Sequence, residues 1–522
     1  MKPIPTKMEG YPIGQQDFMQ LREDGATYVD KTEFVEKIVM SKNRYYFLAR
    51  PRRFGKSLFL STLKYFFEGR RELFKGLKID KSEWNWESYP VLHLDLNTDR
   101  YEDIGILEEV LDNRFRYWEE KYRVAEVVTN LSQRFKNIIE AAHKKTGQPV
   151  VILVDEYDKP LVGNLSKDAN FDHYQAKLAS VYSNFKSSAE HIRLVFLTGV
   201  SRFSKLSIFS DLNNLNDITF DNDFADICGI TEREMTDYFQ TGINDLAHEY
   251  EISYEEACDL LKKNYDGYRF AKKGSEIYNP WSLLCALSKK DIQNYWSMTG
   301  KPTLIAETLK DMDADLEKLL STRCTFKMLS GMDLKSVNPI PLLYQTGYLT
   351  IKRYERASDI VTLGVPNVEV EQSLMEELLP YYVKVKRNDT QGVVFNIIES
   401  IRQGAPEDLM KNLDAYFAGI PYDLKIEDEN NFHNAIFILL SLIGIETKTE
   451  VQTSDGRIDI LIETESYIYV IELKYDTPSA QALRQINEKQ YARKFSMDQR
   501  RLFRIGVSFS SKKRRINDWK IE

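Results

Sequence analysis

Five consecutive apolar residues, Val150-Val151-Ile152-Leu153-Val154, run straight into Asp155 and Glu156. A strand that is apolar on both faces needs cover on both faces, which a parallel sheet flanked by helices supplies. Tyr45–Ala49, Val91–Leu96 and Leu194–Leu197 are short apolar runs of similar kind, separated by helical stretches. The pattern predicts an α/β fold with a parallel sheet up to about residue 235. The acids at the end of the Val150–Val154 run then sit at the tip of a buried strand.

A second element fits the same sheet. Arg50-Pro51-Arg52-Arg53-Phe54-Gly55-Lys56-Ser57 follows the Tyr45–Ala49 run and opens a helix. In a P-loop, successive backbone N–H groups wrap phosphates and the helix N-terminus adds positive potential. On that reading the backbone of Arg52, Arg53, Phe54 and Gly55 approaches the phosphates, Lys56 reaches the β- and γ-phosphates, and Ser57 ligates Mg²⁺. The usual first glycine is replaced by Arg50. A Gly-Lys-Ser triplet is common by composition, so the weight rests on the acid pair. Asp155 would hold Mg²⁺ through water and Glu156 would polarise the attacking water. Acids also end strands at solvent without any task. Leu194–Leu197 leads into Thr198, placed to sense the γ-phosphate, and Arg202 could approach it in cis or in trans. A surface salt bridge explains Arg202 equally well.

With 522 residues, the chain exceeds what one core usually organises. Composition is that of a globular protein, with 43% hydrophobic and 29% charged residues, which argues against bulk disorder. The net charge of −8 excludes a general polyanion binder, so any nucleic-acid contact needs a local basic patch. Cys228, Cys258, Cys285 and Cys324 are too scattered for a zinc site or a disulfide framework. Met1–Gly14 has prolines and no apolar stretch of a secretory signal, and Ala435–Ile445 is too short to span a bilayer. A cytoplasmic protein without membrane association is expected, with a homo-oligomer left open.

These motifs together resemble the AAA-ATPase-like family of bacterial proteins. Arg50–Leu63, Ile152–Pro160 and Leu197–Thr219 carry the likeness, which continues through Tyr265–Phe270 and Tyr278–Leu283. The resemblance implies that arginine at position 50 is ordinary for the family. It also implies a C-terminal domain similar to the PD-(D/E)XK nucleases, an α/β fold like that of restriction endonucleases. Three domains are expected: an ATPase at 1–235, a mostly helical lid or connecting region at 236–385, and a nuclease-like domain at 386–522. The Tyr278–Trp281 segment is expected to pack the helical region onto the ATPase.

The C-terminal part offers its own site. Asp459 stands in Ile458-Asp459-Ile460-Leu461-Ile462, and Glu472 and Lys474 stand in Tyr467–Lys474, all charges within apolar strands. Such charges are costly unless paired or metal-bound. Glu472 and Lys474 are two apart and share a face. If Ile462 pairs with Tyr467 across a four-residue loop, Asp459 pairs with Val470 and lies diagonal to Glu472 on that face. Asp459 and Glu472 would then hold one or two Mg²⁺ ions, and Lys474 would orient or deprotonate the attacking water. A buried salt bridge between Lys474 and the two acids is the competing explanation.

The family resemblance adds Glu429 as a further acid on the preceding helix, and Gln485, Lys489 and Tyr491 on the following one; His433 on its own reads as packing or surface. Gln499–Asn517 carries seven basic residues and no acid, a possible track for a phosphodiester backbone. The whole suggests an ATP- and Mg²⁺-dependent protein acting on DNA or RNA. Its rivals are a nucleotide-switched signalling or scaffold ATPase whose C-terminal domain binds without cleaving, and a nuclease whose ATPase part locks nucleotide without hydrolysing it.

Overall fold

The apolar runs of the N-terminal part are strands. β1 (Tyr45–Ala49), β2 (Val91–Asp95), β3 (Val150–Asp155), β4 (Ile192–Gly199) and a short β5 (Asn216–Asp217) form one sheet in the order β2-β3-β4-β1-β5. Every pairing in it is parallel, with Phe47 opposite Leu197 and Leu153 opposite Phe196. All residues of β1 and β3 are buried, as double-sided cover requires. After β1 the chain crosses over β4 and β3 to reach β2, and after β4 it crosses β1 to reach β5. The two connections leave in opposite directions, so a crevice opens at the carboxyl ends of β1 and β4, where open α/β sheets bind ligands.

The computed structural model describes residues 10–522 apart from 99, 126–127, 165–167, 203–214, 297–308, 310–314, 330, 332–337, 383–386, 419–428, 444–445, 454–455 and 511–514. The chain divides into two compact units, Met1–Trp296 with Thr322–Glu369, and Ser297–Ser321 with Val370–Glu522.

In the first unit, β6 (Ile230–Thr231) and β7 (Ile277–Tyr278) pair beside the helices Glu232–Glu249, Tyr254–Tyr265 and Pro280–Lys289. Each start is written in the sequence: Thr231 with Glu234 and Ser253 with Glu256 form capping boxes, and Asn279 caps the third helix ahead of Pro280. Met235, Phe239 and Ile243 recur at helical spacing and pack with Leu261 and Leu283 in one core. The middle region departs from the helical expectation in one respect. β8 (Arg323–Thr325), β9 (Thr350–Glu355) and β10 (Ile360–Gly364) form an antiparallel sheet in the order β8-β10-β9. Only one face of β10 is fully buried, through Val361 and Leu363, so these strands lack the continuous apolar runs that mark β1 and β3.

The second unit is built on β11 (Glu446–Thr453), β12 (Gly456–Glu463), β13 (Tyr467–Tyr475), β14 (Arg501–Ser510) and β15 (Arg515–Ile521), in that spatial order. All pairings are antiparallel except β13 with β14, and the helix Ser479–Glu488 makes the crossover that a parallel pair needs. Leu461, Ile468 and Val470 pack on one face with Leu483 and Ile486 of that helix. Ile460, Ile462, Ile471 and Leu473 point to the other face, with Met410, Leu413 and Ile436 of the helices Pro406–Ala418 and Glu429–Ile443. β11 and β15 are strands that the apolar pattern did not announce. All four cysteines are free, and no helix among the described residues is long and apolar enough to cross a membrane.

Candidate functional site

The loop after β1 leads into the helix Lys56–Phe67, whose N-cap is Gly55 at φ +94°, with no side chain capping the first turn. Uncapped N–H groups at such an end favour an anion. Arg52 is exposed and Ser57 half-buried at this end. Phe54 is buried edge-on against Tyr268 and Phe270, so its side chain anchors the loop and only its backbone is available to a phosphate. Arg53, at φ +65°, stacks its guanidinium 3.7 Å over the Trp281 ring. This contact ties the loop to the Pro280–Lys289 helix.

Arg50, where the generic loop has glycine, is accommodated inside the fold. Its side chain is 1% exposed and turns inward. Nη1 donates to the carbonyls of Ala49 (2.9 Å) and Thr219 (2.7 Å), and Nη2 to that of Phe224 (3.2 Å). The guanidinium also lies 4.6 Å over Phe270. Arg50→Gly, which restores the generic loop pattern, should therefore destabilise the first unit. Loss of these charge-assisted bonds costs roughly 3 kcal/mol, to be read as an earlier thermal transition of the full chain.

Lys56, Asp155, Glu156 and Thr198 converge at the ends of β1, β3 and β4. Lys56 Nζ lies 3.2 Å from Glu156 Oε1 and donates to the carbonyls of Arg50 (3.0 Å) and Pro51 (3.2 Å). Asp155 is buried and its Oδ1 accepts from the Thr198 hydroxyl and, at 3.1 Å, from the Glu156 N–H. Glu156 sits at φ +52°, a left-handed conformation unusual for a side chain of this size. Arg202 points elsewhere: its guanidinium pairs with Asp217 on β5 and its N–H donates to Gln345 Oε1 at 2.7 Å. One acid escaped the sequence reading. Asp158 is buried at the same end, and burial, with the Glu156 charge next, pushes its carboxyl up to about 7. Its signal was a further acid just past a buried strand tip.

The second unit carries the other cluster. Ile460 pairs with Ile471, Leu461 with Val470 and Ile462 with Tyr469. The register is two residues away from the expected one, because β12 and β13 pair only up to Glu463 and Ile468, and Thr464 closes the turn by accepting from and donating to Tyr467. A shift of two keeps every side chain on its face. Continued by one residue, the ladder places Asp459 directly opposite Glu472 rather than diagonal to it. Asp459 Oδ2 accepts the Leu473 N–H at 2.8 Å.

Glu472 is 1% exposed; its Oε1 meets Lys474 Nζ at 3.1 Å and accepts from Gln485, while its Oε2 is buried without a hydrogen-bond partner. Burial first, and the Asp459 charge second, push its carboxyl up to about 7. Gln485 also lies 3.4 Å from the Tyr491 hydroxyl, and Lys489 is exposed. Gly506, opposite Glu472, lets the Ser479–Glu488 helix close over this face: a Cβ there would lie 2.5 Å from Ser479 O and Leu483 N. Two facing carboxylates with an orphan oxygen suit a divalent cation. Among the described residues no group of three His, Cys, Asp or Glu side chains is arranged to hold a metal. Glu429 and His433 belong to the Glu429–Ile443 helix, and their side chains lie outside the described residues. In the basic stretch, Arg500 is engaged by Asp498 and Glu463, Arg504 lies 3.9 Å from Glu522, and residues 512–514 lie outside the described residues.

Known proteins share both halves. Residues 12–209 match the AAA-ATPase-like family, described as predicted AAA-ATPases. Residues 427–519 match a family of the PD-(D/E)XK nuclease superfamily. Over 524 aligned residues the chain is 33% identical to an "uncharacterized protein in vnfD 5'region" of Azotobacter chroococcum mcd 1, covering 98% of each chain.

Proposed function

Since this chain belongs to the AAA-ATPase-like proteins with a C-terminal domain of the PD-(D/E)XK nuclease superfamily, we propose that it binds and hydrolyses ATP and uses it to control metal-dependent cleavage of DNA or RNA. The observation that carries the proposal is the buried Glu472 carboxyl, close enough to Asp459 to feel its charge and paired with Lys474, with one oxygen without a hydrogen-bond partner. Asp459 and Glu472, with Glu429 as a further candidate, would hold Mg²⁺. A bound Mg²⁺ supplies Lewis acidity toward the phosphodiester and a more acidic water. Lys474 offsets negative charge developing on the phosphate and orients the attacking water. Gln485 holds the same Glu472 oxygen that meets Lys474.

At the other site, the Gly55–Lys56 helix start takes the phosphates, joined by the loop backbone from Arg52 to Gly55 and by Lys56. Ser57 and Asp155 would hold the accompanying Mg²⁺, and Glu156 accepts the proton of the water that attacks the γ-phosphate. Thr198 orients Asp155 through its hydroxyl. Arg202 would join only by leaving Asp217. Nucleotide state then switches the chain's action on nucleic acid, as in other nucleotide switches. The decisive experiment is a cleavage assay of the full chain on single- and double-stranded DNA and RNA, with and without ATP and Mg²⁺. Absence of cleavage under every combination would remove the nuclease part. The 3.1 Å Lys474–Glu472 ion pair favours a second reading, a nucleotide-switched scaffold whose C-terminal domain binds nucleic acid without cutting it.

Lys56→Ala removes a charge-assisted contact to the phosphates and should weaken ATP binding by about 10- to 100-fold in calorimetry. Unchanged affinity would place the nucleotide elsewhere.

The Glu472 carboxyl gives a pH dependence. Its folded value, about 7, lies above its ordinary 4.5. It therefore contributes stability that is full below the ordinary value and is lost as pH rises through about 7. A cation binds the ionised form, so Mg²⁺ should raise the melting temperature of the second unit more at about pH 8.5 than at about pH 5.5. An equal shift at both would argue against Glu472 as a ligand.

A further inference from the structure

The turn after β3 carries Asp158, which none of the chemistry above employs, although it lies beside the nucleotide residues. The side chain is 1% exposed. Its carboxylate accepts the Val200 N–H at 3.2 Å from either oxygen and the Ser201 N–H at 2.6 Å. Two bonds from its neighbour run in parallel: the Tyr157 N–H donates to Thr198 O, and the Tyr157 hydroxyl donates to Ser201 O, both at 2.9 Å. At Gly199 a Cβ would lie 2.5 Å from Asp158 Oδ1 and 2.6 Å from Tyr157 Cδ1, so the two segments approach as closely as glycine permits.

The residues joined in this way are those that the hydrolytic chemistry needs in register. Glu156 lies between Asp155 and this clamp, in a left-handed conformation that costs on the order of 1 kcal/mol and must be held from outside. Thr198, at the other side, donates to Asp155. Beyond the clamp, the Arg202 N–H continues to Gln345. A buried carboxylate taking two backbone N–H groups is a stiff link, because either N–H would otherwise be left without an acceptor.

We propose that Asp158 is a positioning residue for ATP hydrolysis: it locks the end of β4, and with it Thr198, to the turn that aims Glu156. The proposal rests on the reading of this site as an ATPase. Asp158 would touch neither nucleotide nor water.

The test is Asp158→Asn in the full chain. The amide has the same shape but offers one oxygen and turns N–H donors toward N–H groups, so the clamp loses part of its grip. ATP affinity by calorimetry should stay within about threefold, while kcat for phosphate release falls by about 100-fold, the cost of misplacing a group by about 1 Å. In a Glu156→Gln background the same change should add almost nothing, since both act on one step. Hydrogen exchange on the wild-type chain gives a second readout, with the Val200 and Ser201 amides exchanging slowly and more slowly still with ATP and Mg²⁺. The Asp158 proposal alone is overturned if the variant hydrolyses ATP at the wild-type rate. It is overturned also if the variant loses binding as much as turnover, or if those amides exchange freely with and without nucleotide. A wild-type chain that binds no ATP, or binds but never hydrolyses it, overturns the ATPase reading and this proposal together.

Discussion

Asp459→Ala is expected to abolish Mg²⁺-dependent cleavage while the full chain stays folded. Residues that merely support metal ligands cost about 10- to 100-fold when changed, so removing a ligand should exceed that. The stability side follows from the neighbours. The Leu473 N–H loses the acceptor that Asp459 supplies, at a cost of about 1–3 kcal/mol if it stays dry. Against this, the Asp459 charge is one of the causes that hold the Glu472 carboxyl high. Its removal lets Glu472 ionise more readily and strengthens the pair with Lys474. The two effects oppose each other, and the melting temperature should move little. A site that existed only as a structural ion pair would show the same small shift, but its wild type would cut nothing. Cleavage assays on the two proteins therefore separate the readings, with melts showing that both are folded. Wild-type cleavage that survives in Asp459→Ala would show that the activity lies in other residues.

The parts of this fold that were legible are those where burial leaves no choice. β1 and β3 are covered on both faces, so their residues are apolar without interruption, and their ends fix where Lys56, Asp155 and Glu156 stand. The acid, the glutamate and the lysine of the second unit were legible for the complementary reason, as charges inside apolar strands. Their side-chain parity survived a register error because a slip of two residues preserves faces. What was not legible depended on long-range contact. Arg50 stands where the generic loop has glycine, and its inward contacts to the carbonyls of Thr219 and Phe224 lie far away in sequence. Asp158 is one more acid just past a strand by sequence, and its hydrogen bonds go to Val200 and Ser201, about forty residues away. The β8–β10 sheet is fully buried on one face only, so its strands carry little of the continuous apolar pattern that marks β1 and β3.

Glu156→Gln is expected to bind ATP and retain it. The substitution keeps the shape of the side chain and removes the base, and a positioned general base contributes about 100- to 10 000-fold to a rate. Binding should hold or tighten for a local reason. In the wild type, Lys56 Nζ lies 3.2 Å from the Glu156 carboxylate and must give up part of that attraction to meet the phosphates. A neutral amide competes less for the ammonium. The glutamate charge also contributes to the raised Asp158 carboxyl, so the variant leaves Asp158 more readily ionised and its bonds to Val200 and Ser201 stronger. The site should therefore be as well ordered as before but unable to turn over. Calorimetry with ATP and Mg²⁺, followed by single-turnover phosphate release, measures both halves. Phosphate release equal to wild type would deprive Glu156 of its role. A wild type that binds ATP yet releases no phosphate would leave a nucleotide-locked chain, in which Glu156 serves only to hold Lys56 in place.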